Sequence, residues 1–227
     1  MSDPRRIGLL GGTFDPIHRG HVAVAEAARR SLDLDIVLLL PSHIPPHRES
    51  LPVASAFHRF AMVALAADGR EGLLASDLEL RRQAPSYTTV TLQHLIEAGH
   101  PPTQLFFIAG ADAFADIATW RGYPTLLDQS HFVVVSRPGH ALETHATALP
   151  PIEPRLRRIG VARTAQPPMT DVHVFLMQAD TPDVASSMVR SRIAAEAQLD
   201  GLLPDAVARY IRAHRLYEPA PSGKVLA

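Results

Sequence analysis

Five short runs limit the folds open to this chain: Ile7–Leu10, Ile36–Leu40, Leu105–Ile108, Phe132–Val135 and Val172–Leu176. Each is rich in Ile, Val, Leu or Phe nearly end to end, without the polar alternation of a half-exposed strand. Strands that are apolar on both faces must be covered on both faces, as in a parallel sheet packed between helices. Leu73–Ala75 is a shorter candidate of the same kind. Helical patterns separate the runs. His21–Leu32 carries Val22, Ala25 and Ala28 at helical spacing, and Ala54–Ala67 carries Phe57, Phe60, Met62, Val63 and Leu65. Thr88–Ala98 follows, with Gly99 placed as its C-cap. Ser187–Leu199 and Pro204–His214 read as two consecutive helices, with Pro204 in a first turn. This alternation predicts the α/β class: a doubly wound, mostly parallel sheet with C-terminal helices. Ligands of such sheets bind beyond the carboxyl ends of the strands, so the loops after Leu10 and Ile108 are the places to look.

The chain has 227 residues, 46% of them hydrophobic, enough for one α/β domain with a sizeable core. We place that domain at residues 1–217. Gly139–Thr170, rich in Pro, Thr, Ala and Arg, reads as a surface excursion with one helical stretch near Arg155–Ala162, and residues 218–227 as a frayed tail. With no Cys, disulfides, thiolate metal sites and Cys nucleophiles are excluded. A formal net charge of −1 offers no electrostatic case for a nucleic-acid partner. No apolar run is long enough to span a membrane and none reads as a secretory signal, so the expected location is the cytoplasm. Lys224 is the sole lysine. An anion clamp elsewhere must therefore use Arg, His or backbone N–H groups.

The first loop meets that description. Gly11-Gly12-Thr13-Phe14-Asp15-Pro16-Ile17-His18-Arg19-Gly20-His21 follows the first strand and opens the first helix. Glycines let a backbone approach a ligand, and a helix N-terminus offers free N–H groups with a positive dipole end. His18 and His21, three apart, can point the same way and suit the charge that develops on a phosphoryl group. The run spells neither the Walker loop nor the Gly-x-Gly-x-x-Gly of dehydrogenases. Asp15 either joins this site or caps the turn.

Other stretches fall at comparable places. Pro41-Ser42-His43-Ile44-Pro45-Pro46-His47-Arg48 follows the second strand, its prolines stiffening the loop. In Ser86-Tyr87-Thr88-Thr89-Val90-Thr91-Leu92, Ser86 or Thr88 can cap a helix whose remaining N–H groups would meet an anion. Gly110 and Asp112 follow a central strand, where Gly allows close approach and an acid can accept from ribose hydroxyls. Trp120 either fills the core or stacks on a ligand ring. Arg137 ends another strand, and Val184-Ala185-Ser186-Ser187-Met188-Val189-Arg190 opens the penultimate helix as a second anion site.

Together these stretches resemble the nucleotidyltransferase superfamily with a His-x-Gly-His element, and above all bacterial nicotinate-nucleotide adenylyltransferases. The likeness covers roughly residues 6–138 and 181–217. It implies a Rossmann-like nucleotidyltransferase fold and transfer of the adenylyl group of ATP to nicotinic acid mononucleotide. It further implies that His18, His21 and Arg190 act on the phosphates, with Gly11, Gly12, Thr13, Phe14, Gly110, Asp112, Arg137, Ser186 and Ser187 around ATP. His47, Arg48, Ser86, Tyr87, Thr88 and Trp120 would meet the acceptor, Trp120 by stacking on its pyridine ring. Mg²⁺ is expected to bridge the ATP phosphates with mostly water ligands, so no dedicated metal cage is expected. The chain departs from the family pattern at His43 (often Asn), Arg121 (often aromatic), Ala185 (Ser) and Ser187 (Thr). Adenylyl transfer to nicotinamide mononucleotide or phosphopantetheine is the nearest alternative, although phosphopantetheine enzymes usually carry Thr and Lys where this chain has His18 and Arg190. A catalytically silent nucleotide-binding protein is another, against which the intact His18, His21 and Arg190 argue. The sequence leaves open whether the chain forms a homo-oligomer.

Overall fold

The structure is a computed structural model that describes residues 6–45, 51–82, 84–136, 145–160 and 169–219. The expected strands all form, as β1 (Ile7–Gly12), β2 (Ile36–Pro41), β3 (Leu73–Ala75), β4 (Leu105–Gly110) and β5 (His131–Ser136), followed by two late strands. The late pair is β6 (Leu156–Ile159) and β7 (Val174–Gln178). All seven lie in one sheet of order β3-β2-β1-β4-β5-β7-β6, and every pairing is parallel. The order reverses between β1 and β4, which opens a crevice at their carboxyl ends.

The period of two along each strand sorts the apolar runs onto two cores. Phe106, Ile108, Val133, Val135, Phe175 and Met177 face one side. There they meet α1 (Arg19–Leu32), α2 (Ala56–Ala67) and the C-terminal helices. Leu105, Phe107, Phe132, Val134, Val174 and Leu176 face the other side, under α3 (Thr88–Glu97) and the short α4 (Ala111–Ala115). The last two helices are α5 (Ser186–Ala194) and α6 (Asp205–Ala213).

Three local expectations change. The helix near Arg155–Ala162 is instead a single 3-10 turn, Glu153–Arg155, leading into edge strand β6. Leu156 packs against one core and Ile159 against the other. Residues three apart lie on opposite faces of a strand but on the same face of a helix, and the open edge of β7 supplies the backbone partners. The penultimate helix starts at Ser186 but ends at Ala194, two residues before the left-handed Glu196. Pro204 is the N-cap of α6 rather than part of its first turn. Parts of the 139–170 stretch and of the 218–227 tail lie outside the described residues.

Candidate active site

The carboxyl end of β1 runs straight into the loop of paired histidines. A Cβ on Gly12 would meet the Phe14 ring at 2.9 Å, so only glycine fits there without a shift. Phe14 turns left-handed, with φ 50°, and its ring is buried in the core. Its side chain is therefore structural, and only its backbone remains for a ligand. The turn sends Asp15, Pro16 and Ile17 inward and brings His18 to the N-cap of α1. A Cβ on Gly20 would crowd His18 Nδ1 and the Pro182 carbonyl oxygen, each at 3.1 Å.

His18 and His21 stack with ring centroids 3.6 Å apart and planes 25° from parallel. The His18 backbone N–H donates to His21 Nδ1 at 3.3 Å. An accepting Nδ1 leaves the proton of a neutral imidazole on Nε2, where it can donate to a ligand. The Phe14 edge braces the His21 ring from the side at 5.0 Å. His18 is buried and His21 half-buried, so His21 is the more accessible of the two.

Asp15 belongs to the scaffold. Its buried carboxylate accepts the Val53 N–H at 2.7 Å, the Ala54 N–H at 3.0 Å and the Tyr217 hydroxyl at 2.8 Å. Both oxygens are engaged, which ties the loop to the lead-in of α2 and to the C-terminal segment. Burial, then the Asp15 charge, then the hydrogen bond to it push the Tyr217 hydroxyl pKa up, so this phenol stays protonated. Arg59 completes the frame. Its guanidinium is 1% exposed and donates to the carbonyl oxygens of Thr13 at 2.8 Å and Ser42 at 2.7 Å. Longer bonds reach Ala54 O at 3.3 Å and His43 O at 3.4 Å. One side chain thus satisfies the carbonyls of two strand-end loops at once.

The start of α5 docks on the histidine loop. Ser186 Oγ donates to the Pro16 carbonyl oxygen at 2.9 Å, and Arg190 Nη1 donates to the Asp15 carbonyl oxygen at 2.7 Å. The two distant helix starts therefore meet at one loop. The Ser186 proton is directed to that loop rather than to a phosphate, whereas Ser187 beside it is exposed.

Beyond β1 and β4 lies a cleft of about 290 Å³, lined by Gly11, Gly12, Thr13, Tyr87, Thr88 and Trp120 among others. Trp120 is half-buried, edge-on to Phe107 at 5.9 Å, so it both packs and lines the cleft. The Arg121 guanidinium sits 4.9 Å from the Tyr87 ring centroid. Neither Ser86 nor Thr88 caps α3; the N-cap is Tyr87, with no side-chain bond. The reason is local: Ser86 Oγ accepts the His43 backbone N–H at 2.9 Å, which draws it toward the second-strand loop. A Cβ on Gly110 would meet nothing within 4 Å, and Asp112 is exposed in the first turn of α4. His47, Arg48 and Arg137 lie outside the described residues.

Two residues of this frame have no role in the sequence reading: Arg59 and Tyr217. For Arg59 a signal existed. The buried residues of α2 are Arg59, Met62, Val63, Ala66 and Ala67, an unbroken helical stripe with the arginine at its head.

The profile of the cytidylyltransferase-like family matches residues 9–192. A probable nicotinate-nucleotide adenylyltransferase of Symbiobacterium thermophilum is 42% identical over 212 residues, covering 93% of this chain and 95% of its own. The chain belongs to the cytidylyltransferase-like family, on its nicotinate-nucleotide adenylyltransferase branch. A second relative on this branch, from Moorella thermoacetica, is 36% identical over 225 residues, 98% of this chain and 96% of its own. Among solved structures of this cytidylyltransferase-like fold, the nicotinic acid mononucleotide adenylyltransferase of Plasmodium falciparum complexed with NaAD superposes with a TM-score of 0.68. It covers 94% of this chain and 97% of its own at 16% identity, a likeness of fold.

Proposed function

We propose that the chain transfers the adenylyl group of ATP to nicotinic acid mononucleotide, forming nicotinic acid adenine dinucleotide and pyrophosphate in NAD biosynthesis. The observation that carries this reading is the docking of α5 on the histidine loop through Ser186 and Arg190. It assembles two imidazoles and a guanidinium at one end of the sheet, beside a cleft lined by Gly12, Thr13, Tyr87, Thr88 and Trp120. The choice of acceptor follows the names of the relatives and the NaAD of the Plasmodium falciparum neighbour.

The acceptor's 5′-phosphate oxygen attacks the α-phosphorus of ATP in line. The bond from that phosphorus to the bridging oxygen breaks, and its electron pair leaves with pyrophosphate. The attacking oxygen is already anionic, so no proton need be removed from it. Positioning and charge stabilisation then supply the catalysis. His21 Nε2–H and the N–H groups at the start of α1 face the charge developing on the α-phosphoryl group. Arg190 uses Nη1 to hold the loop, and its other N–H groups meet the β and γ phosphates. Mg²⁺ would be carried by the ATP phosphates, where it would help neutralise their charge. The Asp15 carboxylate, buried and accepting from Val53, Ala54 and Tyr217, serves the scaffold instead. Among the described residues no helix is long and apolar enough to cross a membrane, and we place the enzyme in the cytoplasm with its nucleotide substrates.

A pyrophosphate-release assay with nicotinic acid mononucleotide, nicotinamide mononucleotide and phosphopantetheine tests the reading. The highest kcat/KM is expected with the first. Preferential turnover of phosphopantetheine, or none with any acceptor, would overturn it.

A further inference from the structure

Glu79 is buried at the wall of the acceptor cleft, where a carboxyl group looks misplaced beside an anionic substrate. Its surroundings give it a task. Thr91 Oγ1 donates to Glu79 Oε1 at 2.8 Å, and the Ser86 hydroxyl interacts with the same carboxyl. Ser86 is further tied to the second-strand loop: its Oγ accepts the His43 N–H at 2.9 Å and its own N–H donates to the Ile44 carbonyl at 3.0 Å. Ser86 immediately precedes the N-cap Tyr87, and Thr91 lies one turn into α3. Glu79 therefore meets the first turn of α3 at both ends, through a hydrogen bond at Thr91 and by lining the cleft wall with Ser86 at its start. Tyr87 and Thr88, which line the cleft, lie between these two positions. Burial pushes the Glu79 carboxyl pKa up, while the bonds from Ser86 and Thr91 and the charge of Arg82 pull it down.

We propose that Glu79 is a positioning residue for the acceptor: it orients the first turn of α3 against the second-strand loop and so sets how Tyr87 and Thr88 meet the acceptor ring. The inference rests on the proposed reaction. It reassigns the Ser86 hydroxyl from the ligand to this internal contact.

The test is initial-rate kinetics, varying nicotinic acid mononucleotide and ATP separately, on wild type, Glu79→Ala, Glu79→Gln and Thr91→Val. Losing these contacts costs one to two buried hydrogen bonds, so Glu79→Ala should raise the acceptor KM about tenfold. The ATP KM should stay within about twofold, as no ATP contact is removed. Glu79→Gln, whose amide oxygen still accepts one hydroxyl, should recover part of the loss, and Thr91→Val should move the acceptor KM in the same direction by less. A general loss of folding would instead lower active enzyme without splitting the two KM values. An unchanged acceptor KM, or equal rises in both, overturns the role; if Glu79→Ala does not fold, Thr91→Val alone decides it. Wild type that turns over the acceptor while the variants show no split sinks Glu79 alone. Wild type that ignores the acceptor sinks the proposed reaction and this inference together.

Discussion

Arg190 Nη1 donates to the backbone carbonyl oxygen of Asp15 at 2.7 Å, across a sequence separation of 175 residues. The contact does more than place a cation near the histidine loop. It restrains the guanidinium, because one end of the fork is held by a rigid acceptor. The acceptor is rigid in turn because the Asp15 side chain is clamped by Val53, Ala54 and Tyr217.

Arg190→Lys should expose that dependence. An ammonium is a single point donor and cannot both hold the Asp15 carbonyl and reach across to a phosphate. We expect kcat to fall by about 10² with the protein still folded, comparable to removing one charge-stabilising donor. Steady-state pyrophosphate release against ATP checks it, and a lysine variant with full turnover would show that the fork is not used.

His21→Ala removes the accessible imidazole while leaving His18 in place. A drop in kcat on the order of 10²–10³ is expected, typical for the loss of one oxyanion donor. The same assay reads it. Undiminished turnover would take His21 out of the mechanism.

Arg59→Met tests the buried frame. The substitution fills similar volume but leaves the Thr13 and Ser42 carbonyls without their donor inside the protein. Each orphaned buried acceptor costs about 1–3 kcal/mol, so a total loss of about 3 kcal/mol and a fall in Tm of about 10 °C are expected. Calorimetry measures it. A Tm within a degree of wild type would mean that water replaces the guanidinium.

His131 makes stability depend on pH. Its Nε2 lies 3.2 Å from the Thr103 carbonyl oxygen and its Nδ1 accepts the His173 N–H at 2.9 Å, which defines a neutral ring. Burial pushes its pKa from 6.5 down to about 4; the Thr103 carbonyl opposes this, and the charges of His173 and Arg6 add to it. Between pH 4 and 6.5 the unfolded state binds the proton and the folded state does not. Stability is therefore fully present above pH 6.5 and declines as the pH falls toward 4, by up to about 3 kcal/mol from this residue. Urea unfolding at a series of pH values should show the slope. His131→Gln, which keeps a donor and an acceptor but cannot titrate, should flatten it.

The strands were legible because an apolar run reports directly that both of its faces are covered. The residues of β4, β5 and β7 alternate between the two cores as the period of two requires. The histidine loop was legible because its glycines, its histidines and the strand-to-helix passage lie within a few residues of one another. The start of α5 was legible for the same reason, its hydroxyls and arginine lying within a few residues, although the partner of each of its side chains was not.

What stayed hidden were polar groups whose partners come from far along the chain. In α2 the apolar Phe57 is 88% exposed while Arg59 is 1% exposed, the reverse of what hydrophobicity predicts. Glu79, Asp15 and Tyr217 are cases of the same kind. The sequence by itself determined most of the stretches that become strands and helices, and that a glycine-histidine loop would follow β1 and a serine-arginine run would open α5. Only the tertiary structure decided which polar side chains go inside. A buried donor is stable only where unpaired carbonyls await it, and those at Thr13 and Ser42 come together only once the sheet has formed.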